Sequence, residues 1–449
     1  MKNDVIQLNI TDLTPEGFGV GRYDGKVVFV SDTAVGDTIE AIILKELKSH
    51  SFAKVKSVLA PSPDRIGSDC PVSQKCGGCV FRHISYEAEA KLKRNVVKQA
   101  FSRIANMDIE VAETVCDKPD LYRNKVQYPF ARDIDGSCTF GYFARRSHRI
   151  VKHDFCPLQD KIFGEIAEFC IKTANIEHIP AFDEATGKGV LRHIVMRKNR
   201  TNEILVTLVV FKEHKKLELL CQKISERFNN VVGIHINVNG KRDNVIFGDE
   251  TKKIVGANAL KDILCGKSFE ISPRSFYQVN AIMAEKLYNK AKELAFDDER
   301  EKIVLDLYCG IGSVGLSLVR ENDKLCGVEI IDDAIKNAKK NASLNGRSEE
   351  NTLFVCGDAE IGVRECRNKF GNPEIIIVDP PRKGLESAVV KTVADANPEK
   401  IVYISCDPAT LARDCALFAE FGYKTQKATP FDLFPRTGHV ETVCLLSRR

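Results

Sequence analysis

The first 60 residues alternate apolar and polar positions in short runs. This period of two is typical of strands that bury one face. Turn-rich segments such as EGFGVGRYDG separate the runs, which are VIQLNITDL, KVVFV, DTIEAIIL and FAKVKSVLA. Short strands in so brief a segment predict a small β-barrel of the oligonucleotide-binding type over residues 1–60. The Pro-containing stretch 60–65 is predicted to be a linker.

Residues from about 85 to 110 are predicted to be helical, and strands and helices alternate over residues 121–270 without a clear nucleotide-binding signature. EAEAKLKRNVVKQAFSRI repeats apolar residues at helical spacing, and KKLELLCQKISERF does the same. LRHIVMRK and NEILVTLVVF predict two adjacent strands. We therefore expect a central α+β domain over 61–270.

The pattern becomes regular over residues 271–449. A predicted helix, AIMAEKLYNKAKELA, precedes a series of apolar strands that have helices between them. These strands are KIVLDLY, KLCGVEI, NTLFVCGD, EIIIVDPP and KIVYISCD. Alternation of this kind predicts an α/β domain whose parallel sheet is covered on both faces.

Composition narrows the classes of function. Of 449 residues, 43% are hydrophobic and 29% are charged, which is usual for a globular protein. No apolar run approaches the roughly 20 residues of a membrane span, and MKNDVIQLNITDL lacks the basic and apolar blocks of a secretory signal. We therefore expect a cytoplasmic protein without a membrane partner. Its 16 cysteines then indicate metal binding, catalysis or burial rather than disulfides.

Local charge is more informative than the net charge of +4. Basic side chains cluster in three places within the middle segment, at 122–125, 145–152 and 197–200. Three such clusters in one segment favour a face that binds a polyanion such as a nucleic acid.

Three cysteines lie within ten residues, in the run Cys70-PVSQK-Cys76-GG-Cys79. The glycine pair allows a tight turn, so the three sulfurs can converge on one centre. Cys156 is a candidate fourth ligand because a proline follows it, as in some ferredoxin sequences. His83 is a weaker candidate. Zn²⁺ and an iron–sulfur cluster both remain open at this point.

A glycine-rich loop, DLYCGIGSVG, follows the strand that ends near Asp306 and opens a helix. Glycines let the backbone approach a ligand, and the helix start offers free N–H groups. Glu329, about 20 residues on, would bind the ribose hydroxyls of an adenosine ligand. The loop by itself fits NAD or S-adenosylmethionine.

Two later strands end in further polar groups, in EIIIVDPPRKG at Asp379 and in IVYISCDPAT at Cys406. The carboxyl ends of parallel strands meet at one edge of a sheet, which is where ligands bind. Asp379, Cys406, Gly310 and Glu329 should therefore lie close together. Hydride transfer has no evident need for a cysteine there, whereas methyl transfer to an unactivated ring carbon does.

In these residues the chain resembles the RNA uracil-5-methyltransferases that use S-adenosylmethionine, in their iron–sulfur-containing 23S ribosomal RNA branch. The motifs that carry the resemblance are SFYQVN, DLYCGIGSVGL, GVE, DPPRKG, YISCDPAT and FDLFPRTGHVE. The resemblance implies a TRAM-like barrel over 1–60, a central domain over 61–270 and a Rossmann-like methyltransferase domain over 271–449.

The resemblance also implies roles for individual residues. Cys406 would be the nucleophile that adds to C6 of uracil, and Glu441 would be the base that removes the C5 proton. The residues implied to bind or approach S-adenosylmethionine are Gln278, Tyr308, Ser313, Glu329, Asp358 and Asp379. The residues implied to hold a [4Fe–4S] cluster, expected to be structural, are Cys70, Cys76, Cys79 and Cys156.

The chain departs from the family pattern at two positions. Asp407 follows the nucleophile where the family often has asparagine, and Arg436 stands where it often has glutamine or histidine. Because a second negative charge would oppose ionisation of Cys406, we expect the Asp407 carboxylate to turn away. His439 is expected to orient its loop or to touch RNA. Five other thiols are expected to be buried in the core: Cys309, Cys326, Cys356, Cys415 and Cys444.

Several alternatives remain open. The same reaction on the T-loop of transfer RNA is disfavoured because the tRNA enzymes of the family lack, on this resemblance, the barrel and the cluster. An NAD-dependent oxidoreductase would leave Cys406 and Glu441 without a role, and a non-catalytic RNA-binding scaffold would not need them. We expect a monomer with 23S rRNA as its partner, no obligate protein partner, and a target base that flips out of its stack.

Overall fold

The computed structural model describes residues 3–145, 147–153 and 155–448. Its first sheet has the strand order β1-β5-β6-β4-β3-β2. Its strands are β1 Val5–Asn9, β2 Asp12–Leu13, β3 Phe18–Tyr23, β4 Lys26–Ser31, β5 Thr38–Glu46 and β6 His50–Ala60.

This sheet closes into the predicted barrel. Strands β1 and β2 are two parts of one bent segment, in which β1 pairs with β5 and β2 pairs with β3. At the bend, the Thr11 N–H donates to the Val20 carbonyl over 2.9 Å. Inward-facing side chains such as Ile6, Leu8 and Val30 fill the interior. The side chains at alternate positions point outward and keep partial exposure.

The second sheet has the order β15-β14-β13-β12-β8-β9 and forms the core of the middle segment with two helices. Its strands are β8 Lys125–Arg132, β9 Cys138–Phe140, β12 Leu191–Lys198, β13 Ile204–Val210, β14 Val231–Val238 and β15 Glu250–Gly256. The helices are α2 Lys161–Ile176 and α3 Leu217–Arg227. Two hairpins flank the sheet: β10 Tyr142–Phe143 with β11 Ile150–Val151, and β16 Leu260–Leu264 with β17 Lys267–Ile271.

The third sheet has eight strands in the order β20-β19-β18-β21-β22-β24-β23-β7. Its strands are β7 Glu110–Val111, β18 Ile303–Leu307, β19 Lys324–Glu329, β20 Thr352–Cys356, β21 Ile375–Val378, β22 Lys400–Ser405, β23 Lys424–Phe431 and β24 Glu441–Ser447. Its helices are α1 Tyr86–Arg103, α4 Ala281–Ala295, α5 Ser313–Leu318, α6 Asp332–Leu344, α7 Ala359–Phe370, α8 Ser387–Asp395 and α9 Pro408–Glu420.

This third sheet is the predicted α/β unit. Strands β20, β19, β18, β21 and β22 are parallel, as the sequence pattern predicts. The chain leaves β18 in one direction towards β20 and later returns to β21 on the other side, so the topological switch lies between β18 and β21. Strand β24 is reversed, running antiparallel to both β22 and β23. The pattern did not predict this strand.

Helix α1 and strand β7 belong to this sheet by packing, although their sequence lies between the barrel and the middle segment. Strand β7 pairs with β23, and Val97, Ala100 and Phe101 of α1 join the core beneath the sheet. The N-terminal cap of α1 is Ser85, whose hydroxyl accepts from the Ala88 N–H over 3.2 Å. Every helix in the described ranges is too short or too polar to cross a membrane.

Candidate active site

A cavity of about 780 Å³ lies at the carboxyl edge of the third sheet, beside the switch between β18 and β21. All eight predicted catalytic and cofactor-binding residues line it. They are Gln278, Tyr308, Ser313, Glu329, Asp358, Asp379, Cys406 and Glu441. They come from segments more than 160 positions apart along the chain, so the folding of the sheet brings them together as the strand order predicts.

The glycine-rich loop follows β18 and turns sharply into α5. Gly312 caps this helix with φ 81°, a left-handed conformation that glycine adopts without strain. Tyr308 adopts φ 66° although it has a side chain, so the contacts around the loop must hold it there. Beneath the loop the buried Asp306 carboxylate accepts from the Gly315 N–H over 2.8 Å.

The carboxylate of Glu329 is held at the end of β19. Its Oε2 accepts from the Gly310 N–H over 3.3 Å, and its Oε1 accepts from the Ile331 N–H over 3.1 Å. These two bonds fix the side chain at the cavity wall. The position suits contact with the ribose hydroxyls of an adenosine ligand.

Gln278 and Asp358 line the cavity from two different loops. The Gln278 backbone carbonyl accepts from Asn124 Nδ2 over 2.9 Å, so the middle segment fixes this loop. Asp358 caps α7, since its Oδ1 accepts from the Ile361 N–H over 2.9 Å. Ser313, in the first turn of α5, lies beside the phenol of Tyr288.

Cys406 and Glu441 meet because β24 is antiparallel to β22. Ser405, the last residue of β22, pairs with Thr442 of β24. The next positions outward are Cys406 and Glu441, so the expected nucleophile and base are cross-strand neighbours at the cavity floor. Glu441 is 5% exposed, whereas Cys406 keeps partial access to solvent.

Burial gives these groups unusual proton affinities. It raises the pKa of Glu441 to about 8, with a further contribution from the charge of Asp379. Burial alone raises the pKa of Asp379 to about 7. Burial, followed by the charges of Glu441 and Asp379, raises the pKa of the Cys406 thiol to about 11. The Arg382 guanidinium acts in the opposite direction on both Cys406 and Glu441.

Asp407 confirms the expectation that its carboxylate turns away from the thiol. It caps helix α9, where Oδ1 accepts from the Ala409 N–H over 2.9 Å and from the Thr410 N–H over 3.0 Å. The carboxylate therefore caps the N-terminus of the helix and does not point towards the cavity.

Arg436 turns away from the cavity and is 7% exposed. Its Nη1 donates to the Ile84 carbonyl over 3.1 Å and lies 3.5 Å from Glu89 Oε2, and its backbone N–H donates to Glu89 Oε1 over 2.7 Å. It adopts φ 70°, a strained conformation for a residue with a side chain. Arg436 thus anchors the loop 432–440 to helix α1.

A buried ion network completes this anchor. The Lys93 ammonium donates to Glu89 Oε1 and to Asp432 Oδ1, each over 2.7 Å, and to the Phe434 carbonyl over 3.2 Å. The Lys93 and Glu89 side chains are 2% and 0% exposed. Removing one member would leave the others charged and buried without compensation.

Sequence reasoning assigned no role to Arg382 or Phe276 at the cavity, whereas His439, expected to orient its loop or to touch RNA, lines the cavity. Arg382 lies within DPPRKG and was therefore within a quoted motif, and its Nη2 is 3.3 Å from His439 Nε2. His439 also packs against Phe434 at the cavity wall, with ring centroids 6.0 Å apart. Phe276 is 70% exposed at the rim. Their placement depends on tertiary structure, which spacing does not reveal.

Cys70, Cys76, Cys79 and Cys156 all line a second cavity, of about 290 Å³. His83 does not line it, since its Nε2 lies 3.0 Å from the Thr33 carbonyl. Among residues 3–145, 147–153 and 155–448, no three His, Cys, Asp or Glu side chains are grouped so as to hold a metal ion. Arg145, which was expected nearby, donates from Nη2 to the Cys79 carbonyl over 2.7 Å.

The other thiols follow the expectation except at one position. Cys309, Cys326, Cys415 and Cys444 are buried. The prediction for Cys356 was wrong, because this thiol is exposed at the end of β20, near the Ile330 carbonyl.

Comparisons with known proteins agree with this architecture. The family model described as tRNA (Uracil-5-)-methyltransferase matches residues 85–449, and that of the TRAM domain matches residues 1–56. An uncharacterized RNA methyltransferase of Clostridium tetani is 38% identical over 99% of this chain and 97% of its own length. Another, of Halalkalibacterium halodurans, is 39% identical over 99% of this chain and 97% of its own.

A solved structure is similar over the whole length. The tRNA (uracil-54, C5)-methyltransferase of Pyrococcus abyssi, in complex with S-adenosyl-L-homocysteine, superposes with a TM-score of 0.79 at 27% identity. The match covers 98% of this chain and 100% of the archaeal enzyme.

Proposed function

Because this chain belongs to the tRNA (uracil-5-)-methyltransferase family and carries a TRAM domain, we propose that it methylates C5 of a uridine in 23S ribosomal RNA. The methyl donor of the family is S-adenosylmethionine, in keeping with the S-adenosyl-L-homocysteine of the Pyrococcus enzyme. The observation that carries the proposal is the pairing of Cys406 and Glu441 in the cavity lined by the glycine-rich loop. We place the enzyme in the cytoplasm and expect a monomer.

The chemistry needs one soft nucleophile and one base on a single ring. The Cys406 thiolate forms a bond to C6 of uracil, which pushes an electron pair towards C5. C5 then bonds to the methyl group of S-adenosylmethionine as the S–CH3 bond breaks, and S-adenosylhomocysteine is the leaving group. The residues that would hold this methyl donor are Gln278, Tyr308, Ser313, Glu329, Asp358 and Asp379. Glu441 then accepts the C5 proton, the C5–C6 double bond re-forms, and the thiolate leaves. The target uridine must leave its stack to reach this buried floor.

Four cysteine thiols share one cavity, and this donor set suits an iron–sulfur cluster. A four-iron cluster takes four separate thiolates. We propose that Cys70, Cys76, Cys79 and Cys156 hold a [4Fe–4S] cluster. When bound, it would serve as a structural link, since methyl transfer involves no net oxidation.

Transfer RNA is the second candidate substrate. We expected tRNA enzymes of this family to lack the barrel, but the Pyrococcus tRNA enzyme covers 98% of this chain. The presence of a barrel is therefore no argument against tRNA. The motif resemblance still favours 23S rRNA, and the substrate must be decided by experiment.

Substrate identity is tested with the purified protein, labelled S-adenosylmethionine, and 23S rRNA or tRNA transcribed in vitro. We expect 5-methyluridine in 23S rRNA, mapped by mass spectrometry and absent from that site in a strain lacking the gene. Exclusive methylation of the tRNA T-loop would replace the proposed substrate with the second one.

The catalytic roles are tested with two variants. Cys406→Ala should abolish methylation while binding S-adenosylhomocysteine normally. Glu441→Gln should attach covalently to RNA in the presence of S-adenosylmethionine, because the adduct forms but cannot release its proton. Methylation by Cys406→Ala would refute the mechanism, and so would an adduct in the double variant.

A further inference from the structure

A second concave surface lies between the barrel and the second sheet, apart from the active-site cavity. An outer groove of about 880 Å³ continues into an inner pocket of about 450 Å³, and Pro129, Phe143 and His193 line both. The described residues around these two spaces do not overlap with those of the active-site cavity. The outer groove borders the cysteine cavity, with which it shares Cys76, Gly78, Gln127 and Tyr142.

Exposed aromatic rings stand on both sides of the groove. On the sheet side Phe143 is 38% exposed, and its ring stacks on His148 with a centroid distance of 5.2 Å and an interplanar angle of 30°. On the barrel side Phe18 lines the groove. Its ring lies 5.8 Å from that of Phe52, which in turn lies 5.6 Å from that of Phe29, between ring centroids. Partly exposed aromatic rings along a concave surface are stacking platforms for unpaired bases.

Charged groups line both spaces. The outer groove carries Glu16 and Arg145, of which Arg145 forms no salt bridge with any described carboxylate and suits a phosphate. The inner pocket carries three carboxylates and two guanidinium groups, from Asp133, Asp183, Glu184, Arg132 and Arg192. Glu184 pairs with His148, and Asp133 pairs with Lys152. Carboxylates there can accept hydrogen bonds from the exocyclic amino group of a base.

His193 supports an uncharged ligand in the inner pocket. Burial, together with the charge of Arg192, lowers the pKa of His193 to about 4, so its ring is neutral. Its Nδ1 is buried without a hydrogen-bond partner in the described structure. A buried polar atom beside an open pocket is most readily satisfied by a polar ligand edge.

The groove connects to the active site through one loop. Val80 lines the groove, and its backbone N–H donates to the Arg436 carbonyl over 2.8 Å, five positions before Glu441. The barrel meets the same loop where Pro15 packs against Gly438. The loop 432–440, whose Phe434 and His439 line the active-site cavity, therefore also contacts the barrel and the groove wall.

We propose that this groove binds the unpaired RNA next to the target uridine, with bases stacked on Phe143 and Phe18, a phosphate at Arg145, and an amino-bearing base in the inner pocket. The proposal rests on the proposed function for the identity of the ligand as RNA. It assigns substrate binding to named residues outside the methyltransferase unit.

The test measures binding of full-length protein to fluorescein-labelled 23S rRNA transcript and, separately, to S-adenosylhomocysteine. Phe143→Ala should weaken RNA binding about ten-fold, which is the usual effect of losing one stacked base. Phe143→Leu should act similarly while keeping the apolar volume, so a loss of folding cannot explain both. Arg145→Met should reduce the salt dependence of binding by about one phosphate contact. Affinity for S-adenosylhomocysteine should stay unchanged throughout.

Ile176→Ala is the matched control, because Ile176 is 72% exposed at the end of α2 and lines neither space. RNA binding by Phe143→Ala and Phe143→Leu at the wild-type affinity would overturn the proposal. Loss of binding to 50S particles alone, with naked RNA unaffected, would assign the groove to a protein and also overturn it. If wild-type protein binds RNA through Phe143 yet forms no 5-methyluridine, the proposed function fails and the groove assignment stands.

Discussion

At the scale of single residues, burial favours the protonated forms of the acidic groups at and beneath the active site. Burial raises the pKa of Asp306 to about 8, of Asp379 to about 7 and of Glu441 to about 8. The same environment opposes the Cys406 thiolate. A cation is needed to favour the ionised forms. The sulfonium of S-adenosylmethionine carries such a charge, and Arg382 contributes a second one from the cavity wall.

Because the active site becomes more negative as pH rises, its preference between S-adenosylmethionine and S-adenosylhomocysteine should depend on pH. As pH rises from 6 to 8.5, Asp379 and Glu441 release their protons and attract the sulfonium. Binding of S-adenosylmethionine should therefore strengthen with pH by about ten-fold relative to S-adenosylhomocysteine, whose sulfur is uncharged. Titration calorimetry with the two ligands measures the difference. Asp379→Asn should flatten it, and parallel pH profiles in the wild type would contradict the argument.

Glu441 should also lower the stability of the protein in alkaline solution. Its pKa is raised from 4.5 to about 8 in the folded protein, so between these values the folded state holds a proton that the unfolded state has released. The free energy of unfolding then falls as pH rises through this window. Glu441→Gln should melt about 2 °C or more above the wild type at pH 8 and level with it near pH 4.

Differential scanning calorimetry at the two pH values measures this effect. The control is Glu350→Gln, the same change at an exposed position, which should leave both melting points unchanged. A Glu441→Gln effect of equal size at both pH values would show that proton linkage is not its cause.

At the scale of elements, the sequence predicted those whose pattern is local. AIMAEKLYNKAKELA coincides with α4, and LRHIVMRK coincides with β12. The strand-end positions of Asp379 and Cys406 then followed from parallel strand order. Strand β24 escaped prediction because nearly all of its positions are buried, which leaves no alternation to detect. The burial of Arg436 was equally hidden, since its partners Glu89 and Ile84 are about 350 positions away in sequence.

The anchor between α1 and the loop 432–440 should determine the order of that loop. Glu89→Gln removes the charge that balances Lys93 and Arg436, so the apparent free energy of unfolding should fall by about 3 kcal/mol. Amide hydrogen exchange across 432–440 should speed up, and kcat should fall more than the affinity for S-adenosylhomocysteine. Glu87→Gln, on the exposed side of the same helix, is the matched control. Unchanged exchange in the loop would contradict the anchoring role.

At the scale of the whole molecule, the cavity lined by the four cysteines lies where three separate parts of the chain meet. Its walls come from the loop 70–82, from Lys125 and Gln127 of the second sheet, and from Val279 beside Gln278. These contacts link residues that are far apart in sequence. The spacing of the cysteines therefore predicted a shared site but could not reveal which parts of the chain surround it. The groove beside Phe143 escaped sequence reasoning for the same reason, although the basic cluster at 145–152 borders it.

Loss of one cysteine of this set should release the proposed cluster and loosen the contacts around it. Cys156→Ser, purified without oxygen, should contain much less iron and sulfide than the wild type and lack its visible absorbance. Limited proteolysis should cut faster within 70–82. Cys356→Ser is the control because its thiol is exposed and distant from the cavity lining. Full iron content in Cys156→Ser would exclude Cys156 as a ligand.

The reversed strand β24 has a consequence for alignment. Both of its faces are apolar, with Val443 and Leu445 alternating with Cys444 and Leu446. If strand β24 shifted its register by one residue, its buried apolar side chains would be replaced by other apolar side chains. Packing alone therefore barely opposes such a shift. The ion pairs of Asp432 and Arg436 hold the chain in position before strand β24 begins. The number of residues between Arg436 and Glu441 therefore determines which side chain lies beside Cys406. One inserted residue would leave the core intact while turning the base away from Cys406.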